Sequence, residues 1–350
     1  MNIIQKIIAE LRKAVQGKDQ VLVWILMTIL ANGNVLLEDI PGVGKTTIAL
    51  AFSRALGLDY GRVQFNPDVL PSDITGYSVY DKQSGRMIYQ KGAILCNLFL
   101  ADELNRATSR TQSALLEAME EGQVTVDGVT HPLPRPFTVI ATQNPTGAAG
   151  TQLLPDSQMD RFTVRLSVGY PKAKDERDMV LARQGGVNPL ELVQQVVNRT
   201  ELAAMQEAVS RVFVKDTVIN YVVALVGQTR KHPQIQRGGS PRATLAVVSM
   251  AKAAAFMNGR DYVLPDDVQT VFAGTVAHRL LLTADAQAQG IREEQLLSAL
   301  LSQIPAPVSV SVINKSRNEA YCSRSTVRIV LWVRLRRFTY SVCIRFQFIK

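Results

Sequence analysis

Cysteine and histidine are scarce in this chain, which has three residues of each among its 350. Cys322 and Cys343 lie near the C-terminus, and Cys96 lies in a predicted buried strand. Their positions show neither a disulfide framework nor metal-ligand spacing, so we expect reduced thiols and a cytoplasmic protein. The histidines are scattered singly, and we interpret them as structural or surface residues.

Long apolar segments are also missing. The longest run, from Val21 to Ala31 with Thr28 inside it, is too short to span a bilayer, and it predicts a buried helix. The N-terminus has no basic region followed by an apolar core, so we expect no targeting segment. Membrane association is not expected of residues 1–305. Their number is sufficient for two domains with substantial cores.

Positive charge is concentrated at one end of the chain. The whole sequence has 39 basic and 30 acidic residues, a net charge of +9. Residues 306–350 contain nine basic residues and one acid, which is +8 and leaves +1 for residues 1–305. The nearly neutral body lacks the electrostatic signature of a nucleic-acid binder. We interpret 306–350 as an appended or out-of-frame basic tail without an evolved fold, with nucleic-acid or membrane contact as the alternative.

A glycine-containing turn follows the apolar run at 35–37. Gly42 and Gly44 allow tight turning, so that backbone N–H groups point at an anion, and a helix beginning near Lys45 adds its positive end. Lys45 is expected to reach the β- and γ-phosphates of a nucleotide, and the Thr46 hydroxyl to bind Mg²⁺. The predicted phosphate loop consists of Asp39, Ile40, Pro41, Gly42, Val43, Gly44, Lys45, Thr46 and Thr47.

One position departs from the general phosphate-loop pattern. Asp39 stands where G-x-x-x-x-G-K-[ST] has its first glycine. The alternative interpretation is a glycine-rich turn that merely joins a strand to a helix. The Gly-Lys-Thr-Thr ending at 44–47 argues against that alternative.

Two acids end the mostly apolar segment 95–103. Ligands collect at the carboxyl ends of strands in an open α/β sheet, which is where Asp102 and Glu103 are expected. Asp102 is predicted to hold Mg²⁺ through its water shell. Glu103 is predicted to polarise the attacking water as a general base. An Asp-Glu pair on a surface is common, and its place at a strand end after a phosphate loop supports the functional interpretation.

Three further polar residues are candidates for phosphate sensing. Asn144 follows the predicted strand 137–142 and could orient the lytic water, although Asn-Pro also initiates turns. Arg161, in an Asp-Arg-Phe triplet, is either a surface arginine or an arginine finger for an adjacent subunit. Ser240 and Pro241 suit the N-cap and first position of a helix, which places Arg242 in its first turn.

In this order, the motifs resemble the MoxR family of AAA+ ATPases over roughly residues 10–305. The matching segments are EDIPGVGKT (38–46), FNPDVLPSDITG (65–76), LADELNRA (100–107), TQSALLEAMEEGQV (111–124), ATQNP (141–145), DRF (160–162) and GSPRA (239–243). The departures are small: Gly92-Ala93 stands where Gly-Pro is usual, and Cys96 where alanine is common.

The resemblance implies roles for these residues. Asp39 is an accepted residue of the family's phosphate loop, and Gln16 and Gly17 belong to the segment that lies against the adenine. Asn144 is implied as sensor 1, Arg161 as the finger acting on a neighbour, and Arg242 as sensor 2. The implied activity is Mg²⁺-dependent ATP hydrolysis by a homo-oligomeric ring, expected to be a hexamer. Such a ring remodels or matures a client protein, for which a von Willebrand A-domain protein is one candidate.

The predicted fold class is α/β, a P-loop AAA+ parallel sheet sandwiched by helices and followed by an all-α lid. The predicted domains are residues 1–185, 186–305 and the tail 306–350. We expect strands at 35–38, 61–65, 95–103, 137–142 and 163–168, and a helix at 110–121. Helices of the lid are expected at 190–211, 216–230, 241–258 and 265–282. Two insertions interrupt the sheet region, a polar loop at 77–94 and a hairpin at 123–130.

Three other functions are weighed against this one. A nucleic-acid motor related to replicative helicases is disfavoured by the neutral body. A transcriptional-activator ATPase is disfavoured because segment 74–94 lacks that group's GAFTGA loop. A magnesium-chelatase-type motor subunit has a similar core, but the short insertion and the sequence of 141–162 favour MoxR.

Overall fold

A computed structural model describes residues 2–40, 42–144, 154–184, 186, 188–307, 328–335 and 338–345, the last two ranges by their backbone. Pro41 of the predicted phosphate loop and Pro145, which follows Asn144, lie outside the described residues. The chain divides into two compact units, Met1–Ala306 and Pro307–Lys350. The predicted boundary at residue 185 inside the larger unit stays a prediction.

Strands and helices alternate through the first part of the larger unit. The strands are β1 (Val35–Glu38), β2 (Tyr60–Gln64), β3 (Gly76–Asp81), β4 (Arg86–Lys91), β5 (Leu98–Asp102), β6 (Gln123–Val126), β7 (Val129–Pro132), β8 (Thr138–Gln143) and β9 (Val164–Leu166). The helices are α1 (Ile3–Ala14), α2 (Asp19–Leu30), α3 (Lys45–Ala55), α4 (Pro71–Thr75), α5 (Ser109–Glu121), α6 (Asp156–Met159) and α7 (Ala173–Arg183).

The central sheet has five parallel strands in the order β2-β5-β8-β1-β9. Leu36 of β1 pairs with Ala141 of β8, and Leu100 of β5 pairs with Ile140 of β8. Three adjacent strands therefore end at one edge of the sheet, immediately before the predicted phosphate-binding and acidic residues. The bounds predicted for these five strands differ from the observed bounds by at most a few residues.

Both faces of this sheet are buried, as expected for parallel strands. Alternate residues of β1 face opposite sides because side chains in a strand alternate. Val35 and Leu37 pack into the apolar cluster formed with α1, α2 and α3, whereas Leu36 packs into the cluster formed with α5. The predicted sheet sandwiched by helices is confirmed.

Two antiparallel hairpins project from the sheet region. Strands β6 and β7 form the hairpin predicted around Asp127 and Gly128. Strands β3 and β4 form a second hairpin where a loop was expected. Its turn is closed by Asp81, which accepts hydrogen bonds from the backbone N–H groups of Gln83 and Ser84. The sequence did not predict this hairpin because most side chains of both strands are exposed, so neither strand shows an alternating apolar pattern.

Helices dominate the second part of the larger unit. They are α8 (Arg199–Ser210), α9 (Asp216–Thr229), α10 (Pro241–Met257), α11 (Pro265–Val276), α12 (Ala284–Ala288) and α13 (Glu293–Gln303), with a short pair of strands, β10 (Ile235–Arg237) and β11 (Leu281–Leu282). The helix predicted from residue 190 begins only at Arg199, because Asn198 and Glu201 form a capping box there. The helix predicted to residue 282 ends at Val276, and α12 and α13 were not predicted.

The lid packs onto α2, the apolar helix predicted for residues 21–31. Helix α2 buries most of its residues, and Trp24 lies against Gly274 of α11, where a Cβ would come within 2.7 Å of the indole. In the part of the chain that the structure describes, no helix combines the length and apolar character needed to cross a membrane.

The smaller unit contains two strands, β12 (Arg328–Leu335) and β13 (Phe338–Arg345), which pair antiparallel. Leu331 is opposite Val342 in this pairing. The interpretation of 306–350 as a tail without an evolved fold stays a prediction, although these two ranges pair as strands. Their alternation of β-branched, aromatic and arginine residues suits paired strands, although it gave no clean apolar face in the sequence.

Candidate nucleotide-binding site

The turn after β1 has the backbone of a phosphate loop. Gly42 and Gly44 have φ angles of 86° and 91°, in the left-handed region that favours glycine. A Cβ at either position would meet open space, so it is the backbone angle that favours glycine there. Gly44 is the N-cap of α3, whose first residue is Lys45. Unpaired N–H groups at such a helix start attract anions.

Lys45 is buried, with 7% of its surface exposed. Its Nζ donates a hydrogen bond of 2.7 Å to the carbonyl oxygen of Asp39 and lies 3.5 Å from Oδ1 of Asn144. Burial lowers the pKa of Lys45, and the negative charges of Asp102, Asp39 and Glu103 oppose this effect. The structure therefore holds a cation at the carboxyl edge of β1, next to the end of β8.

Asp102 ends β5 and is fixed by two neighbours. Its Oδ1 accepts a hydrogen bond of 2.6 Å from the Thr142 hydroxyl, and its Oδ2 lies 2.8 Å from a guanidinium nitrogen of Arg62 on β2. The Thr142 hydroxyl in turn accepts a hydrogen bond of 2.8 Å from the N–H of Glu103. Thr142 thus links the two acids to β8.

Glu103 adopts a left-handed backbone with φ 58°, which is uncommon outside glycine. Its Oε1 accepts a hydrogen bond of 3.2 Å from Nδ2 of Asn144, and its Oε2 lies 3.3 Å from Nε of Arg106. Backbone strain of this kind is frequent at functional sites, where it aims a side chain. Here the carboxylate lies beside Asn144, and its negative charge acts on Lys45.

The predicted adenine segment lies close to the residues that follow β9. Lys18 Nζ donates hydrogen bonds to the carbonyl oxygens of Gly169 and Tyr170, at 2.9 and 2.7 Å. Gly17 has φ 70° and lies so close to Asp175 that a Cβ would overlap its carboxylate. Among the described residues, Oε1 of Gln16 is buried and has no hydrogen-bond partner. A buried acceptor without a partner is costly unless a ligand supplies a donor.

Asp39 joins the phosphate loop to the same segment. Its carboxylate accepts hydrogen bonds from the N–H groups of Ile40 and Gly169 and from the Ser167 hydroxyl. Burial raises the pKa of Asp39, but these donors lower it more, so the net pKa lies below its ordinary value. The aspartate at the position of the usual glycine therefore has a structural contact that glycine lacks.

Arg161 and Arg242 lie together, away from the residues just described. Arg161 Nε is 3.0 Å from Oε2 of Glu120, and Arg242 forms an ion pair with the other oxygen of the same carboxylate. The N–H of Thr163 donates to the carbonyl oxygen of Asn34, so Arg161 precedes β9 at the edge where β1 begins. The loop that leads to Lys45 follows β1 at its other edge, about 13 Å away for a four-residue strand.

The described residues fit a nucleotide with a divalent cation. The left-handed glycines, the buried lysine and the unpaired Gln16 oxygen match phosphates and a base. No group of three or more His, Cys, Asp or Glu side chains among the described residues is arranged to hold a metal alone. A magnesium ion held by Thr46 and Asp102, as the sequence predicts, would therefore need phosphate oxygens as further ligands, which is the usual mode of Mg²⁺ in such sites.

Comparisons with known proteins agree with this class of site. Residues 34–164 match the family described as "ATPase family associated with various cellular activities (AAA)", and residues 227–300 match the AAA lid domain. The fold and the matches define an AAA-type ATPase. The protein YeaC of Bacillus subtilis is 42% identical over 89% of this chain and 97% of its own length.

Two further relatives extend the comparison. The chaperone MoxR1 of Mycobacterium tuberculosis is 38% identical over 87% of this chain and 82% of its own. A crystal structure of a proposed ATPase from Cytophaga hutchinsonii, 35% identical, superposes with a TM-score of 0.82 and covers 88% of this chain and 96% of that one. The chain belongs to the MoxR family of AAA+ ATPases, and it is an ATPase.

Sequence reasoning missed several residues of the site. Thr142 and Arg62 hold Asp102, and Glu120 pairs with both arginines. Thr142 is the second-last residue of β8, the strand that precedes Asn144, and this position could have indicated it. Glu120 lies inside the matching segment 111–124, but nothing there indicated its partners, because the residues with which Glu120 and Arg62 pair are 40 or more positions away in the chain.

Proposed function

We propose that this protein hydrolyses Mg²⁺-ATP as a ring of identical subunits and uses the energy to remodel or mature a client protein. The observation that carries the proposal is the division of its charged and polar site residues between two edges of one sheet. Lys45, Asp102, Glu103 and Asn144 lie at the carboxyl edge, and Arg161 and Arg242 lie at the opposite one. A subunit with this arrangement supplies the phosphate-binding part of one ATP site at its carboxyl edge and the arginines of another ATP site at the opposite edge.

At the carboxyl edge, Lys45 binds the β- and γ-phosphates, and Gly42 and Gly44 shape the loop that receives them. Thr46 and Asp102 hold Mg²⁺, which neutralises phosphate charge when it is bound. The Gln16 and Gly17 segment lies against the adenine. Thr142 keeps the Asp102 carboxylate in place by donating to its Oδ1.

Glu103 is the general base in this proposal. Its carboxylate accepts a proton from the water that attacks the γ-phosphate, and its hydrogen bond from Asn144 fixes the position of the carboxylate. Asn144 also lies near Lys45 and so couples the base to the phosphate-binding cation. Its position supports the sensor 1 role.

Arg161 and Arg242 complete the ATP site of a neighbouring subunit. Neither lies near its own Lys45, because both are paired with Glu120 at the opposite edge. A contact that joins the two different edges of successive subunits is head-to-tail, and such contacts form a ring when the rotation between subunits closes. The family resemblance favours a hexamer. For Arg242, the geometry supports action on the neighbour rather than on its own nucleotide.

A protein client is the proposed substrate of the motor. One relative, MoxR1, is named a chaperone, and the body of this chain is nearly neutral. The β3–β4 hairpin exposes Tyr77, Tyr80 and Met87, which suit contact with polypeptide. A von Willebrand A-domain protein in the cytoplasm is a candidate client on family resemblance.

Two substitutions test the assignment of the site. Lys45→Ala removes the phosphate-binding cation and should abolish nucleotide binding, measured by titration with a fluorescent ATP analogue. Glu103→Gln should bind ATP normally but stop turnover, because the amide cannot accept the proton. Hydrolysis by Glu103→Gln within a few-fold of the unmodified protein would contradict the proposal.

A further inference from the structure

Arg279 lies in the lid but makes its hydrogen bonds to the segment that carries Arg161. One guanidinium nitrogen donates to the carbonyl oxygens of Asp160 and Phe162, at 3.1 and 2.7 Å. Arg279 Nε is 3.0 Å from Oδ1 of Asp160, an ion pair that is not aligned as a hydrogen bond. The lid arginine thus holds the backbone on both sides of Arg161.

This guanidinium is almost completely removed from solvent, with 3% of its side chain exposed. Burial lowers the pKa of Arg279 to about 10, although the charge of Asp160 acts in the opposite direction. A buried ion pair of this kind adds little stability over apolar residues of the same size. What it does supply is a fixed geometry, because a planar guanidinium orients two carbonyl groups at once.

Two further contacts from the lid reach the same segment. His278 Nε2 lies 3.0 Å from the Phe162 carbonyl oxygen, to which it donates. The Ser240 hydroxyl donates a hydrogen bond of 2.8 Å to Oδ2 of Asp160. Ser240 occupies the predicted N-cap position of α10, yet its hydroxyl bonds Asp160 instead of capping the helix. Asp160 therefore connects Arg161, its sequence neighbour, to the helix that begins just before Arg242.

We propose that Arg279 is a positioning residue for Arg161. It holds Asp160 and Phe162 so that the Arg161 side chain, 30% exposed, is presented at the subunit edge. Arg279 does not contact nucleotide in this proposal and acts only through the arginine of its own subunit. The proposal rests on the proposed function, in which Arg161 acts on a neighbour's ATP.

The position of Arg279 in the lid has a mechanical consequence. Any displacement of the segment after α11, where Arg279 lies, is transmitted to Arg161 through Asp160 and Phe162. Misplacing a catalytic group by about 1 Å costs on the order of 100-fold in rate. The state of the lid therefore sets how effectively a subunit stimulates its neighbour.

The test compares Arg279→Met, Arg161→Ala and the double variant in the full chain. Arg279→Met should lower kcat by roughly 10- to 100-fold while the Kd for a fluorescent ATP analogue stays within about twofold. In the Arg161→Ala background, the same change should lower kcat by less than about twofold, because the group it positions is already missing. Arg279→Lys, which keeps the charge but not the planar fork, should give an intermediate kcat.

Arg260→Met is the matched control. Arg260 is also a lid arginine paired with an aspartate, Asp267, at 2.7 Å, and it makes no hydrogen bond to the Arg161 segment. The Arg260→Met variant should be less stable but keep the kcat of the unmodified protein. The kcat is measured at a temperature at which circular dichroism shows that each variant is folded. If Arg279→Met does not fold, the same test is made by measuring how much Arg279→Lys lowers kcat in the unmodified protein and in the Arg161→Ala background.

Two results would overturn the proposal. In the first, Arg279→Met and Arg279→Lys keep the kcat of the unmodified protein although Arg161→Ala is nearly inactive. Arg161 would then still act on a neighbouring subunit, but Arg279 would not position it. The other is a full additional loss when Arg279→Met is combined with Arg161→Ala, which indicates a general effect on the fold. Near-normal activity of Arg161→Ala itself would instead contradict the proposed function.

Discussion

The side-chain amide of Asn144 donates a hydrogen bond of 3.2 Å to the Glu103 carboxylate. The two residues follow adjacent strands, β8 and β5, so the parallel pairing of the sheet brings them together. The amide oxygen of Asn144 lies 3.5 Å from Lys45 Nζ. One side chain thus contacts both the proposed phosphate-binding cation and the proposed base.

Asn144→Ala should separate binding from turnover. Lys45 keeps its hydrogen bond to the Asp39 carbonyl, so ATP binding should change by less than about threefold. The Glu103 carboxylate loses its orienting donor, and kcat should fall by roughly 10- to 100-fold. Isothermal titration and a steady-state ATPase assay measure the two quantities. Equal losses of affinity and kcat would show that Asn144 mainly shapes the phosphate loop.

Gly44→Ala tests the backbone of the phosphate loop. A left-handed conformation costs an alanine about 1–2 kcal/mol, and φ at Gly44 is 91°. Relief of that strain would move the N–H groups at the start of α3, so ATP binding should weaken by at least about tenfold. Fluorescent-nucleotide titration measures the change.

Gly259→Ala is the control for this prediction. Gly259 has φ 73° and open space at its Cβ, but it lies in the lid, after α10. It should lose a similar amount of stability in urea unfolding while binding ATP normally. Normal binding by Gly44→Ala would mean that the loop tolerates the strain without moving.

Asp39→Asn should have an effect that depends on pH. The folded-state pKa of Asp39 lies below its ordinary value, so the carboxylate stabilises the fold above about pH 4. That contribution disappears as the pH falls through the lowered pKa. The unfolding free energy of Asp39→Asn should therefore be below that of the unmodified protein at pH 7 and approach it in acid.

Ser167→Ala serves as the partner variant for Asp39. It removes the hydroxyl donor to the Asp39 carboxylate and should reproduce part of the loss at pH 7. Combining it with Asp39→Asn should add little, because the two residues share one contact. A stability difference for Asp39→Asn that stays constant from pH 7 to pH 3 would exclude the carboxylate as its source.

Local sequence patterns were sufficient for the sheet and for the residues at its carboxyl edge. Gly-Lys-Thr, Asp-Glu and Asn144 each follow an apolar segment, and parallel pairing then places strand ends together. Helices with proline at their first position, such as α10 and α11, were predicted with the correct start. The β3–β4 hairpin was missed because its strands bury almost no alternating face.

Contacts between distant residues could not be predicted in the same way. Arg279 and Asp160 are 119 positions apart in the chain, and Arg242 and Glu120 are 122 apart. The local sequence around a buried arginine does not identify its hydrogen-bond acceptor, because the acceptor depends on how the lid packs on the sheet. The opposite-edge location of Arg242 is also a consequence of that packing.

DNA binding distinguishes the protein remodeller from a nucleic-acid motor. A chain that ends at Ala306, the boundary of the larger unit, has a net charge of only +1. It should show little affinity for DNA at physiological salt, because few phosphate contacts are available. Fluorescence anisotropy with a labelled duplex and a single strand measures this. Strong stimulation of its ATPase activity by DNA would favour the nucleic-acid motor.

Mixing two inactive variants tests whether Arg161 acts across a subunit boundary. Arg161→Ala should bind ATP normally but hydrolyse it slowly, since arginine fingers contribute about 10³–10⁵ in rate in other NTPases. Lys45→Ala should bind no nucleotide, yet it keeps an intact Arg161 at the opposite edge of its sheet. In mixed rings, that arginine can face the intact ATP site of an Arg161→Ala subunit, and part of the activity should return.

The double variant Lys45→Ala/Arg161→Ala is the control for this mixing experiment. Mixed with Arg161→Ala, it supplies a subunit of the same size but no arginine at position 161, so no activity should return. Co-purification of differently tagged chains establishes that the rings are mixed. Rescue that rises and then falls with the fraction of Lys45→Ala is expected, because each productive site needs one subunit of each kind. Demonstrably mixed rings without rescue would place Arg161 in its own subunit's chemistry or in structure alone, and the division of the site between two edges would then be wrong.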